Sequence, residues 1–269
     1  MKSAIITGTG IYEIAGHTFK PETVETLYGP AQVFLSQDPR LDLVFLARHG
    51  VQHTTPPHMV NYRANFKALQ MLGVKQALAA YAVGSINREI PPLGMALLTD
   101  FLDFTCNRPL SFYDGAESGL AHTSMDQPYC PTLGSKLLEL APEFDLNIRK
   151  EAVYVATNGP RFETPAEIRM YSKLGGDVVG MTGVPEAVLA KELGIHFAAV
   201  AVSINWASGI EETMTIVEGN RGDLNKRLTD LFLRTLSQEK DFPCRCETAA
   251  MITHPPKSGT HNDTERRLG

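Results

Sequence analysis

Arg161, Phe162 and Glu163 crowd into a turn in the stretch ATNGPRFETPAEIRMYSKLGGDVVGMTGVPE, residues 156–186. The next residues explain the turn without them. Thr164 reads as a helix N-cap, Pro165 as the first helical residue, and Glu167 as the far half of a capping box. Glu163 is therefore not needed to start the helix. A carboxylate beside an aromatic face suits a flat heterocycle that carries a ring N–H. Phe162 taken alone reads as readily as a core residue. Asn205 closes a long apolar run, where a buried amide must find partners. It fits either a structural cap or the edge of a heterocycle, since it both donates and accepts. Met181 can pack on a sugar, and Thr182 after it can donate to an anion.

Two further segments suggest an anion. TGTG at 7–10 leaves backbone N–H groups free for one, or is simply a turn. It lacks the full dinucleotide fingerprint, and no acidic residue follows at the right distance. Arg48, in ARHG, adds a guanidinium fork suited to phosphate oxygens. His49 beside it stays open between a core position and a site position. Together these point to a single phosphate-sized anion. Phosphate, a sugar and a nitrogen heterocycle amount to a nucleoside cleaved by phosphate. Such a reaction needs no covalent nucleophile, and local spacing offers no Ser–His or Cys–His pair.

Metal chemistry is not expected. Cys244 and Cys246 form a C-x-C pair, but no zinc-type spacing completes it and there is no HExxH. With four cysteines in 269 residues, a disulfide scaffold is not expected either.

The elements that must position these groups alternate. SAIIT, LDLVFLA, KQALAAYAVGS, GMALLTDFLDF, EAVYVAT, DVVGM and IHFAAVAVSIN read as strands. NYRANFKALQMLG, LGSKLLELAPEF, the helix from Thr164 to about Leu174, PEAVLAKELG and about Leu224 to Leu236 read as helices. The expectation is a single α/β domain, residues 1–236, with a central mixed sheet flanked by helices. Residues 237–269 read as a polar tail, disordered or loosely docked. The candidate groups fall at strand ends, where such sheets bind ligands: Thr7–Gly10, Arg48-His49, Ala82–Ser85, Asn158–Glu163, Met181-Thr182 and Asn205. A net charge of −5 without a basic cluster speaks against nucleic acid. No apolar run is long enough for a bilayer, and the N-terminus has no signal-peptide core, so a cytoplasmic address is expected.

The ordered set TGTG, LARHGVQHTTPPHMVNYRANFKAL, AVGS, RPLSFYDG, GPRFETPAEIR, GMTGVPEAVLAKELGI and the strand ending in Asn205 resembles the trimeric purine nucleoside phosphorylase family. Its methylthioadenosine phosphorylase branch is the nearer one. The resemblance implies that Thr9, Arg48, His49 and Thr182 hold inorganic phosphate, the co-substrate, with no cofactor. It implies that Phe162 stacks on the base and that Met181, with Ala82, lines the nucleoside site. His122 would reach a neighbouring subunit of a homotrimer. Tyr81 departs from the threonine that this branch often carries ahead of the AVGS-like turn.

Two departures bear on the substrate. Where the methylthioadenosine enzymes resemble TDYD, this chain has INWA, and where they carry Ser after the Phe, it has Glu163. Asn205 can donate to a 6-oxo group or to N7, and Glu163 can accept from the N1–H that adenine lacks. A 6-oxopurine is therefore expected, with Asn205 and Glu163 stabilising the departing base and phosphate attacking C1′. General purine nucleoside phosphorylases place a histidine about fourteen residues after the Asn, where this chain has Gly219. Met214, Ile216 and Val217 nearby would form an apolar 5′ lining suited to a methylthio group. The resemblance then narrows to the bacterial S-methyl-5′-thioinosine phosphorylase subgroup. Methylthioadenosine phosphorylase and a general inosine/guanosine phosphorylase stay open as alternatives, and a non-catalytic nucleotide-binding protein is the reading from another class.

Overall fold

The chain folds as strands and helices in the order β1 (Ser3–Thr7), β2 (Phe19–Thr26), β3 (Gly29–Ser36), β4 (Leu43–Ala47), α1 (Tyr62–Met71), β5 (Gln76–Ser85), β6 (Met95–Asp103), β7 (Leu120–Thr123) and α2 (Pro131–Leu140). There follow β8 (Ile148–Ala156), α3 (Pro165–Lys173), β9 (Val178–Gly180), α4 (Gly183–Glu192), β10 (His196–Trp206), α5 (Arg221–Leu236) and β11 (Ala250–Thr253). This is a computed structural model, and it describes residues 1–8, 11, 14–115, 117–213, 215–217, 221–238 and 241–254.

Nine strands form one mixed sheet in the order β10-β6-β8-β9-β5-β1-β4-β3-β2. An additional parallel pairing of β10 with β5 closes five of them, β5, β10, β6, β8 and β9, into a barrel. The expected mixed α/β sheet is therefore present, and closure is what the strand patterns alone could not show. β1, β4 and the core of β10 are buried along their length, which accounts for their unbroken apolar runs. α1 and α4 pack together on one side and α2 and α5 on the other, giving two apolar cores with the sheet between them.

β5 organises the site. Its first half, Gln76–Ala79, pairs with β1, while Gly84 and Ser85 on its second half pair with β9. The sheet splits between those pairings, and the gap opens at the carboxyl ends of the strands. At the far end of β10 the register against β5 shifts between Ser203 and Asn205. Such a bulge re-aims the side chain that follows it.

Two features differ from expectation. The β2–β3 hairpin was not read from the sequence, although its alternating burial and its turn at Gly29 (φ 101°) are hairpin signals. Within residues 237–269, which read as a polar tail, disordered or loosely docked, β11 pairs antiparallel with β7. Residues 255–269 lie outside the described residues.

Candidate active site

A cavity of about 240 Å³ opens where β4, β5, β8, β9 and β10 end. Ala82, Val83 and Gly84 form its floor, with Val179 to Thr182 on one side and Ile204, Asn205 and Ala207 on the other. Phe162 and Glu163 come from the β8–α3 turn, His49 from the end of β4, and Ile216 from the segment after β10. The capping box at Thr164 and Glu167 is formed in full, so the turn that carries Phe162 and Glu163 is held by other residues.

Glu163 is buried, and its Oε1 accepts from Thr157 Oγ1 at 2.7 Å. Its other carboxylate oxygen has no hydrogen bond among the described residues. Asn205 is 3% exposed, and its Nδ2 donates to Trp206 O at 2.8 Å. One amide N–H and the amide oxygen have no hydrogen bond among the described residues. Gly84 makes room for this group, because a Cβ there would lie 3.3 Å from Asn205 Nδ2. A carboxylate that accepts and an amide that both donates and accepts thus border one cavity. Phe162 is 49% exposed, so it is a cavity-mouth residue and not a core one.

The other end of the cavity has groups whose chemistry suits an anion. Thr182 is buried, and its hydroxyl has no hydrogen bond among the described residues. His49 Nδ1 lies 2.8 Å from Thr55 O, which can only accept, so Nδ1 carries the proton and Nε2 is an acceptor with no hydrogen bond among the described residues. Burial, with the neighbouring Arg48 charge, pulls the His49 pKa down to about 4. The ring is neutral at physiological pH.

Arg48 is where the expectation needs correcting. Its fork was expected to hold phosphate. Instead Nε and Nη2 donate to Glu186 at 2.6 and 2.9 Å, and Nη1 donates to Ala80 O at 3.1 Å, where β5 parts from β1. A guanidinium this deeply buried needs a buried counter-ion, and Glu186 is it. Burial alone would lower the Arg48 pKa; the carboxylate outweighs burial and raises it. Contact with an anion is left to Nη1, which lies 2.7 Å from where a Gly8 Cβ would stand.

Met181, Ala82 and Ile216 line the cavity. His122 does not; it is exposed on β7. Thr9, Met214 and Gly219 lie outside the described residues. Tyr81 is buried behind the cavity, and its hydroxyl donates to Glu186 Oε2 at 2.7 Å.

The profile of the Phosphorylase superfamily matches residues 2–237. The chain belongs to that superfamily. It is 44% identical over 259 residues to a probable 6-oxopurine nucleoside phosphorylase of Moorella thermoacetica, covering 93% of this chain and 98% of the relative. It is 46% identical over 215 residues to a probable S-methyl-5′-thioinosine phosphorylase of Methanopyrus kandleri, covering 80% of this chain and 82% of the relative. Methylthioadenosine phosphorylase from Schistosoma mansoni in complex with tubercidin superposes with a TM-score of 0.79 at 27% identity, over 88% of this chain and 90% of that one. The resemblance drawn from the motifs is borne out. The chain is an enzyme of the phosphorylase superfamily, and the nucleoside phosphorylase fold expected for it is the fold found.

Three residues of this phosphorylase were missed in the sequence. Glu186 follows the first proline of α4 and reads there as an ordinary first-turn acid. Tyr154 Oη accepts from the N–H groups of Thr182 and Gly183, both at 3.1 Å, and so holds the β9–α4 junction. Arg108 Nη1 donates to Met181 O and Val184 O, and its Nη2 donates to Asn158 O, tying the loops after β8 and β9 together. Arg108 stands in RPLSFYDG, one of the motifs that carried the resemblance, and that was its only signal.

Proposed function

We propose that the chain catalyses phosphate-dependent cleavage of the N-glycosidic bond of a 6-oxopurine nucleoside. S-methyl-5′-thioinosine is the preferred substrate, and the products are hypoxanthine and 5-methylthioribose 1-phosphate. The observation that carries this reading is the pairing of Glu163 and Asn205 on one cavity, each with unused hydrogen-bonding capacity. A carboxylate accepts from N1–H of a 6-oxopurine, and neutral adenine has no hydrogen there. The names of the relatives from Moorella thermoacetica and Methanopyrus kandleri support the same base.

A phosphate oxygen attacks C1′ as the C1′–N9 bond breaks, and the bonding electrons pass to the purine. Asn205 N–H stabilises that charge at N7 or O6, and Glu163 orients the ring from the other edge. The phosphate negative charge stabilises the oxocarbenium character of the ribosyl group. Thr182 Oγ1, Arg48 Nη1 and the Gly8 backbone N–H donate to phosphate, and the neutral His49 Nε2 accepts a hydrogen bond from its remaining P–OH, which keeps its proton. Positioning and electrostatics supply most of the rate. On the 5′ side, Ile216 is an apolar neighbour that suits a methylthio group better than a hydroxyl. The active form is a homotrimer in which His122 of one subunit reaches the site of the next.

The test is kcat/KM for methylthioinosine, methylthioadenosine and inosine, each with and without phosphate. Methylthioinosine should be favoured over methylthioadenosine by ~10⁴, as for a site built around donors and acceptors of the right base. Preference for methylthioadenosine sinks the base-edge reading. Equal rates on inosine sink the 5′ reading, and turnover without phosphate sinks phosphorolysis. Asn205→Asp combined with Glu163→Ser should move the preference toward the 6-amino base.

A further inference from the structure

At the opposite end of β10 from Asn205, four side chains that catalysis does not use converge. Cys130 precedes α2, His196 opens β10, and Cys244 and Cys246 come from the segment before β11. Cys244 Sγ lies 3.2 Å from His196 Nδ1, 3.6 Å from Cys130 Sγ and 3.5 Å from Cys246 Sγ. Cys130 Sγ is 3.7 Å from His196 Nδ1. All four ligand atoms fall within 4.8 Å of one another. A tetrahedral zinc with Zn–S ~2.3 Å and Zn–N ~2.0 Å sets its ligand atoms ~3.5–3.8 Å apart. Four of the six pairs stand at 3.2–3.7 Å, close to that spacing, and the other two lie within 4.8 Å.

We propose that Cys130, His196, Cys244 and Cys246 hold one zinc ion in a closed site that fastens the segment after α5 to the phosphorylase domain. Spacing along the chain hid this donor set, because the ligands come from three distant segments. The surroundings fit a metal in three ways. His196 turns Nδ1 to the sulfurs while its Nε2 lies 3.5 Å from Glu247 Oε1, and a carboxylate on the far nitrogen fixes the ligating tautomer. Phe242 stacks on the same ring, with centroids 3.8 Å apart, and holds its plane. Three thiolates around a divalent ion leave one net negative charge. Buried Lys191, whose Nζ lies 3.7 Å from Cys246 Sγ, balances it.

Four protein ligands leave no open position, so the ion is structural. It is also far from the chemistry. His196 and Asn205 stand at opposite ends of one strand, ~30 Å apart at the rise of an extended chain. The effect would pass through β11, which the clamp holds against β7, the strand that carries His122.

The experiment is metal analysis of the full chain, expressed with zinc supplied, purified with a thiol reductant and dialysed against a weak chelator. About one zinc per chain is expected, and Co(II) in its place should give the strong visible absorption of a tetrahedral thiolate site. Cys244→Ser with Cys246→Ser should lower the zinc content at least tenfold, and Cys106→Ser, at an exposed cysteine outside the cluster, should leave it unchanged. If the double variant does not fold, titration of wild-type thiols with a mercurial gives the answer instead: zinc should leave in step with modification. A metal-free chain under these conditions overturns the proposal, as does undiminished zinc in a folded double variant. Metal-free protein with a thiol deficit on unfolding would mean that the cluster is a disulfide site instead.

Discussion

Arg48 and Glu186 have side chains only 1% exposed, and they meet through two hydrogen bonds. A guanidinium at that depth needs a counter-charge in direct contact. Tyr81 adds a third hydrogen bond, to Glu186 Oε2, and its ring lies beneath the guanidinium at 4.6 Å. Tyr81 thus belongs to this ion pair behind the cavity, where it braces Arg48. Glu186→Gln leaves a buried cation without its counter-charge. It should lower unfolding stability by ~3 kcal/mol or more, read from denaturant midpoints. Tyr81→Phe removes one buried hydrogen bond and should cost ~1 kcal/mol. A loss below ~1 kcal/mol for Glu186→Gln would show that Arg48 finds water or another acceptor, and that the pair is not what holds it.

Elements place these residues by meeting at their ends. The β9–α4 junction carries Met181 and Thr182 into the cavity, and Tyr154 in the middle of the barrel wall sets its position. Gly180 and Gly183 make that approach feasible, since a Cβ on either would come within 3 Å of the tyrosine ring or hydroxyl. Tyr154→Phe leaves the N–H groups of Thr182 and Gly183 unpaired at a buried site. Stability should fall by ~1–3 kcal/mol, and the KM for phosphate should rise more than that for the nucleoside. An unchanged phosphate KM would mean that Thr182 is positioned from elsewhere. Much at this scale was legible in the sequence. The capping box, the buried strands and the strand-end location of the site all follow from local patterns. The barrel closure, the bulge before Asn205 and the split in β5 do not, because each depends on which strands pair. The same limit explains Arg48: its fork is a local property, and its partner lies 138 residues away. It also explains the Cys130–His196–Cys244–Cys246 cluster, of which only the C-x-C pair is visible along the chain.

At the scale of the molecule, the cavity mouth exposes apolar side chains. Phe162 and Ile216, at the cavity mouth, are 49% and 41% exposed. The small sheet of β7 and β11 exposes Leu120, Met251 and Ile252 beside His122. Apolar side chains grouped around a cleft are commonly covered by another chain. A homotrimer that brings His122 over a neighbour's cavity would cover both regions at once. For the proposed homotrimer, sedimentation equilibrium should give about three times the 29.5 kDa chain mass. Leu120→Asp with Ile252→Asp should dissociate the assembly and weaken nucleoside binding together. His122→Ala should raise the nucleoside KM while the mass stays trimeric, because it removes a contact without opening the interface. The two variants separate assembly from contact. A fully active monomer would remove the need for a neighbour, and an unaltered KM in a trimeric His122→Ala would mean that the subunits associate without sharing their sites.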